Sequence, residues 1–255
     1  MRIVTLTENT SCREDLVPEH GLSLYIETGE YKILFDMGKT SAFADNAEKL
    51  GVDLAAVDFA VLSHGHYDHG GGLKRFLQIN DHAPVYVSPD AFVPHYNAAG
   101  KNIGLDMGLR NHPRLIPADT PRELSHGITL HTCPLPPEDT AGLTMLEQGV
   151  RCPEDFRHEQ YLMIGEAGRK ILISGCSHKG IRNLMAYFHP DILIGGFHFM
   201  KVEDEAFLQA AARTLLQYDT RYYTGHCTGG RQYALMKRVM GERLQELYTG
   251  SAEIL

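Results

Sequence analysis

Short apolar runs separated by polar turns fill the first ninety residues. RIVTL (2–6), LSLYIE (22–27), KILFD (32–36), FAVLS (59–63) and PVYVS (84–88) are rich in β-branched and aromatic residues, which predicts strands. TGEYK, between the second and third runs, predicts a hairpin with Gly29 at its tip. FADNAEKLG (43–51) and GGLKRFLQI (71–79) carry helical spacing, and Gly51 suits the residue just past a helix end. Positions 90–158 are rich in Pro, Gly, Asn and His and predict long loops with short elements. The pattern then resumes. YLMIG (161–165) and KILIS (170–174) predict a second hairpin, IRNLMAYFH (181–189) a helix and DILIGG (191–196) a buried strand. A long amphipathic helix follows, with Leu208, Ala211, Ala212 and Leu215 on one face. RYYTG (221–225) predicts a strand, and the last helix is expected to carry Met236, Met240, Leu244 and Leu247 along one side. Strands followed by mixed strands and helices in each half predict an α/β protein: two mixed β-sheets packed face to face with helices outside, as one domain over 1–255.

Composition narrows the function classes. The formal net charge of −8 over 255 residues argues against nucleic-acid partners and against docking to anionic membranes. The five cysteines include no CxxC, so a reducing cytoplasmic setting is expected. The N-terminal MRIVTLTENTSC lacks the pattern of a signal peptide, and no apolar run approaches the ~20 residues of a membrane-spanning helix.

The 14 histidines change the picture, because three of them crowd into SHGHYDHGGG (63–72). The cluster ends an apolar strand and precedes a helix, where α/β proteins place functional loops. Residues two apart in an extended chain point the same way, so His64 and His66 can bind one metal. Gly65 has no Cβ to block close approach of backbone. After Tyr67 the chain must turn, which lets Asp68 and His69 face a second metal. Gly70, Gly71 and Gly72 are expected to permit that turn and start the helix. Imidazole with one carboxylate suits zinc, with iron or manganese as alternatives.

H-x-H-x-D-H, together with the upstream LFDMG, resembles the metallo-β-lactamase superfamily. EHGLSLYIET (19–28), HEQYLMI (158–164), ILISGCSHKGI (171–181), ILIGGFHFM (192–200) and TGHCTGG (224–230) resemble its dihydropteroate-synthase-like branch, also described as pterin–ribofuranosylaminobenzene 5'-phosphate synthase-like. The resemblance implies a four-layered αββα sandwich and two divalent metal ions. It implies ligands His64, His66, Asp68 and His69, with Asp36 holding the metal loop. His178 and His226 stand after strands in the C-terminal half and are the candidates for the remaining ligands: His64, His66 and His178 on one metal, Asp68, His69 and His226 on the other. The usual bridging aspartate is missing. Gly175-Cys176-Ser177-His178 stands in its place, and Cys176 is either a thiolate ligand or packed. His158 sits near the place of a further superfamily histidine with different spacing. His198 is a candidate for substrate contact, and Glu19 for a cleft residue. His95 and His112 lie in the middle loops, within reach of a substrate.

The expected activity is dinuclear metal-dependent hydrolysis of an ester or phosphoester in a small molecule, phosphorylated ones included. A metal-bound hydroxide would attack, and Asp68 would orient it and accept its proton. The rival readings are a pterin-pathway synthase with a ring pocket from Phe92, Tyr96 and Phe197, an iron-dependent oxidoreductase, and a non-catalytic metal-dependent ligand sensor.

Overall fold

The computed structural model describes residues 1–255. The chain forms two compact units, each assembled from separate segments. The first holds 1–119, 140–160 and 248–255; the second holds 120–139 and 161–247.

The first unit is built on a seven-stranded sheet. Its order is Ala252–Ile254, Arg2–Thr7, Ser23–Glu27, Lys32–Phe35, Phe59–Val61, Val85–Val87, Leu115–Pro117. The first three pairings are antiparallel and the last three parallel. Thr28 N–H bonds to the Tyr31 carbonyl and closes the expected hairpin around Gly29. Helices Ala42–Lys49 and Leu73–Ile79 cover the sheet. Phe43 and Phe76 are fully buried in one cluster with Leu6, Leu34, Ala60 and Leu62. Each such phenylalanine contributes about 1.5–3 kcal/mol by leaving water. A small antiparallel sheet, Val150–Pro153, Thr144–Glu147 and His95–Tyr96, orders part of the segment expected to be loops.

The second unit repeats the mixture. Its sheet runs Leu244–Glu246, Arg221–Thr224, Ile192–Ile194, Arg169–Ile173, Tyr161–Glu166, Ile128–His131, Arg122–Ser125. The first three pairings are parallel and the rest antiparallel. Helices Ile181–Phe188, Glu205–Leu215 and Gly230–Met240 pack Leu184, Leu208, Ala212 and Met236 against Leu172, Leu193 and Tyr222. One expected element is corrected. The last helix stops at Met240 because Gly241 takes a left-handed φ of 56°. Leu244 then lies in a strand paired parallel with Arg221–Thr224, and Leu247 follows that strand. The ladder partner overrides the helical spacing of the four side chains.

His131 gives this unit a modest pH dependence. Burial lowers its pKa, with its Nε2 2.8 Å from Thr129 Oγ1 and its ring against Phe188. The folded chain therefore resists a proton that the unfolded chain accepts near pH 6.5. The stability from keeping His131 neutral is present above that pH and is lost as pH falls through the folded pKa. Melting curves of wild type and His131→Gln at pH 5.5 and 7.5 should converge at the lower pH. Parallel shifts would contradict this.

Candidate metal centre

The strand Phe59–Val61 is buried along its length and delivers Ser63 and His64 at its carboxyl end. There the backbone runs so close to its neighbours that a Cβ on Gly65 would sit 2.2 Å from the Ala91 carbonyl oxygen. His66 stays extended (φ −97°, ψ 147°) and caps the helical turn Tyr67–Gly70. Three rings converge as a result: His64 lies 4.6 Å from His66 and 4.2 Å from His69, centroid to centroid. All three are buried.

Asp36 ties this loop to the preceding strand. It follows Lys32–Phe35 in a left-handed conformation (φ 60°) and is completely buried. Its Oδ1 accepts the Ser63 N–H at 2.7 Å. Its Oδ2 accepts the Ser63 hydroxyl at 2.7 Å and His69 Nδ1–H at 2.6 Å. The Ser63 proton is thus committed to Asp36, so its oxygen accepts from His64 Nδ1–H at 2.8 Å. In both rings Nδ1 is the donor, which leaves Nε2 as the nitrogen a metal would take. Burial alone would lower the His69 pKa, but the Asp36 carboxylate and its hydrogen bond leave it raised.

Asp68 is mostly buried and lies 3.3 Å from His20 Nε2. Glu19 is occupied otherwise. Its Oε1 accepts the N–H groups of Lys39 and Thr40 and its Oε2 the Thr40 hydroxyl, so it braces that turn. The glycines after His69 work by size, not by conformational freedom. Gly71 and Gly72 have ordinary helical dihedrals, but a Cβ would meet the Lys39 and Met37 carbonyl oxygens at 2.1 and 2.2 Å.

In the second unit, three neighbouring parallel strands end in histidine-bearing loops: His178 after Arg169–Ile173, His198 after Ile192–Ile194 and His226 after Arg221–Thr224. The His178 and His198 rings lie 4.3 Å apart. His178, His226 and Cys176 are buried. Ser177, His198 and His226 all have positive φ (55°, 57° and 49°). Non-glycine residues held there cost about 1–3 kcal/mol each and concentrate at functional sites.

One group escaped the sequence reading. His66, His95, Glu154 and His158 are all buried, and their candidate ligand atoms lie within 4.8 Å of one another. The His95 and His158 rings stack at 4.0 Å. Burial, with the nearby His158 ring, pushes the His66 pKa well below its ordinary value. Burial also lowers that of His158. Glu154 is driven the other way by burial, but the adjoining His158 and His95 rings hold it ionised, far below the carboxylate range. Sequence signals for this group are faint, since some sixty positions separate His95 from Glu154 and His158.

The chain has relatives among known proteins. The profile of the Metallo-beta-lactamase superfamily matches residues 16–150, and the chain belongs to that superfamily. An uncharacterized protein of Methanocaldococcus jannaschii is 30% identical over 89% of this chain and 90% of its own length. The 7,8-dihydropterin-6-methyl-4-(beta-D-ribofuranosyl)-aminobenzene-5'-phosphate synthase of the same organism is 26% identical over 98% of this chain and 95% of its own. The crystal structure of a metal-dependent hydrolase of the beta-lactamase superfamily superposes with a TM-score of 0.83 at 27% identity, covering 100% of this chain and 99% of that one. Zinc-bound PqqB from Methylobacterium extorquens shares the fold at a TM-score of 0.60 and 13% identity, with full coverage of both. The fold is therefore the metallo-β-lactamase fold, with two large mixed sheets and their helices. No helix is long and apolar enough to cross a membrane.

Proposed function

We propose that this chain is a metal-dependent hydrolase of a small ester or phosphoester, with two divalent ions held by His64, His66, Asp68, His69, His178 and His226. Zinc is the metal this donor set favours, with iron or manganese as alternatives. The observation behind the reading is the Asp36 fan, which presets His64 and His69 with Nε2 lone pairs. The strand-end positions of His178 and His226 support their inclusion. When bound, the metals supply a nucleophilic water at neutral pH and polarise the substrate oxygen. Asp68 would help hold the second ion and accept the proton of the attacking water, with His20 Nε2 3.3 Å away to orient it. His198, less buried than His178, is the substrate contact. The single-domain reading is kept, since the chain passes between the two units several times and neither is one continuous segment. A reducing cytoplasm fits the five cysteines, none of which is in a disulfide.

A second reading is synthesis of a pterin–aminobenzene phosphate, favoured by the full-length likeness to the archaeal synthase. The ring pocket expected for it loses Phe197, which is buried in the hydrophobic core against Tyr222. Tyr96 carries the Arg151 guanidinium over its ring, 4.0 Å from the centroid, a stack that suits an anionic group nearby.

Metal quantification on protein purified without added metal, followed by a panel of phosphodiesters, phosphomonoesters and lactones, tests both readings. About two equivalents of metal and turnover of one substrate class are expected. His66→Ala should lower that turnover by at least about 100-fold, since even residues behind a ligand are worth 10–100-fold. Hydrolysis unchanged in His66→Ala, or protein that takes up no transition metal, sinks the hydrolase reading.

A further inference from the structure

Glu154 is a carboxylate sealed from water, at 1% exposure. Its Oε2 accepts His95 Nδ1–H at 2.7 Å, and its Oε1 accepts the Phe156 N–H at 3.2 Å. His158 Nε2 stands 3.5 Å from Oε1. No lysine or arginine pairs with it. A buried carboxylate without a fixed cation is costly, so its charge calls for a partner.

His95 has the complementary deficit. Its Nδ1 proton goes to Glu154, so Nε2 carries the lone pair. That atom is buried and accepts no hydrogen bond. An idle buried acceptor costs about 1–3 kcal/mol. It is aimed at the histidine loop, 3.0 Å from where a Gly65 Cβ would stand, and the His95 ring lies 5.3 Å from that of His66. His158 is turned differently. Its Nδ1 accepts the Gly65 N–H at 2.8 Å, which leaves the proton on Nε2, facing Glu154. It braces the loop, stops 3.5 Å short of the carboxylate without a hydrogen bond, and offers no lone pair to a metal.

We propose that His95, oriented by Glu154, is a metal ligand that adds an imidazole from the small antiparallel sheet to the ion held at His66. The proposal rests on the metal reading above. One cation at His95 Nε2 answers both deficits: it takes the idle lone pair, and through the imidazole it sets a positive charge against Glu154. Carboxylate–imidazole–metal chains of this kind raise ligand basicity and fix ring orientation. An added nitrogen donor also shifts preference toward zinc and its late-transition neighbours and away from magnesium or calcium. A cavity of about 200 Å³, lined by His95, Asp90, Glu147 and Arg157 among others, adjoins the residue.

The test uses the full chain, stripped of metal and titrated with cobalt(II) and with zinc. Wild type should bind cobalt with visible d–d bands. His95→Gln should shift those bands and weaken zinc binding about 10–100-fold, and Glu154→Gln should weaken it in the same direction by less. Unaltered melting of stripped His95→Gln establishes that it folds. If it does not fold, nitrogen NMR of His95 in the wild type decides: Nε2 should move to the metallated range when zinc is added. A cobalt spectrum and zinc affinity unchanged by His95→Gln, or a His95 Nε2 signal unmoved by zinc, overturns the inference and leaves the metal reading standing. That pattern would instead make His95 a substrate acceptor. Wild type that binds neither cobalt nor zinc overturns the metal reading itself.

Discussion

Asp36→Ala is expected to lower the melting temperature of the metal-free protein by about 10 °C and to abolish tight metal binding. Three donors converge on this carboxylate: the Ser63 N–H, the Ser63 hydroxyl and His69 Nδ1–H. All belong to fully buried residues. The hydroxyl can rotate to another acceptor, but the N–H and the ring proton cannot. Each stranded donor costs about 1–3 kcal/mol. Alanine also tolerates the left-handed backbone of position 36 less well than aspartate. The sum is several kcal/mol out of a total stability on the order of 5–15 kcal/mol. At about 2–4 °C per kcal/mol for a chain of this size, the fall is near 10 °C. Asp36→Asn separates the contributions. Its carbonyl can still accept the Ser63 N–H, but its amide must face the Ser63 hydroxyl or the His69 ring proton. It should melt between wild type and Asp36→Ala, with His69 free to change tautomer. Circular dichroism melts and zinc titration check this. A fall of less than about 3 °C in the alanine variant would show that the fan is not what secures the loop.

Gly65→Ala should be nearly as damaging, for a purely steric reason. The added methyl would lie 2.2 Å from the Ala91 carbonyl oxygen, 2.9 Å from its carbon and 3.0 Å from His95 Nε2. Backbone cannot swing aside as a side-chain tip can, so the histidine loop itself must move. Overpacking costs about 1–3 kcal/mol. The displacement also pulls His64 and His66 from their shared orientation, and metal affinity should fall further than the melting temperature implies. Gly29→Ala is the control, since nothing lies within 4 Å of its Cβ position. It should melt within about 2 °C of wild type, as surface changes stay near ±0.5 kcal/mol. Equal behaviour of the two variants would contradict the close approach.

Legibility in the sequence followed the range of the interactions. The strands around Ile33, Ala60, Leu172 and Leu193 stood out because buried parallel strands are continuous apolar runs flanked by turns. The failed helix at Leu244 stood on helical spacing alone. Its neighbour in the ladder, Tyr222, is supplied by another part of the chain, and that contact decided the strand. The short strands of positions 90–158 were illegible for the same reason: each is ordered by a partner across a sheet, not by its own pattern.

At the candidate metal centre the same division holds. The sequence by itself determined the superfamily, the mixed sheets and the cluster His64, His66, Asp68 and His69, because those features are local and repeat at fixed spacing. Tertiary structure alone decided the protonation pattern. Asp36 and Ser63, separated by 27 positions, dictate that Nδ1 is the donating nitrogen of His64 and of His69. It also decided that Gly71 and Gly72 serve close approach and not turning. And it brought Glu154 to His95 across 59 positions, a pairing that no periodicity encodes, since burial and hydrogen-bond geometry exist only once the chain has folded.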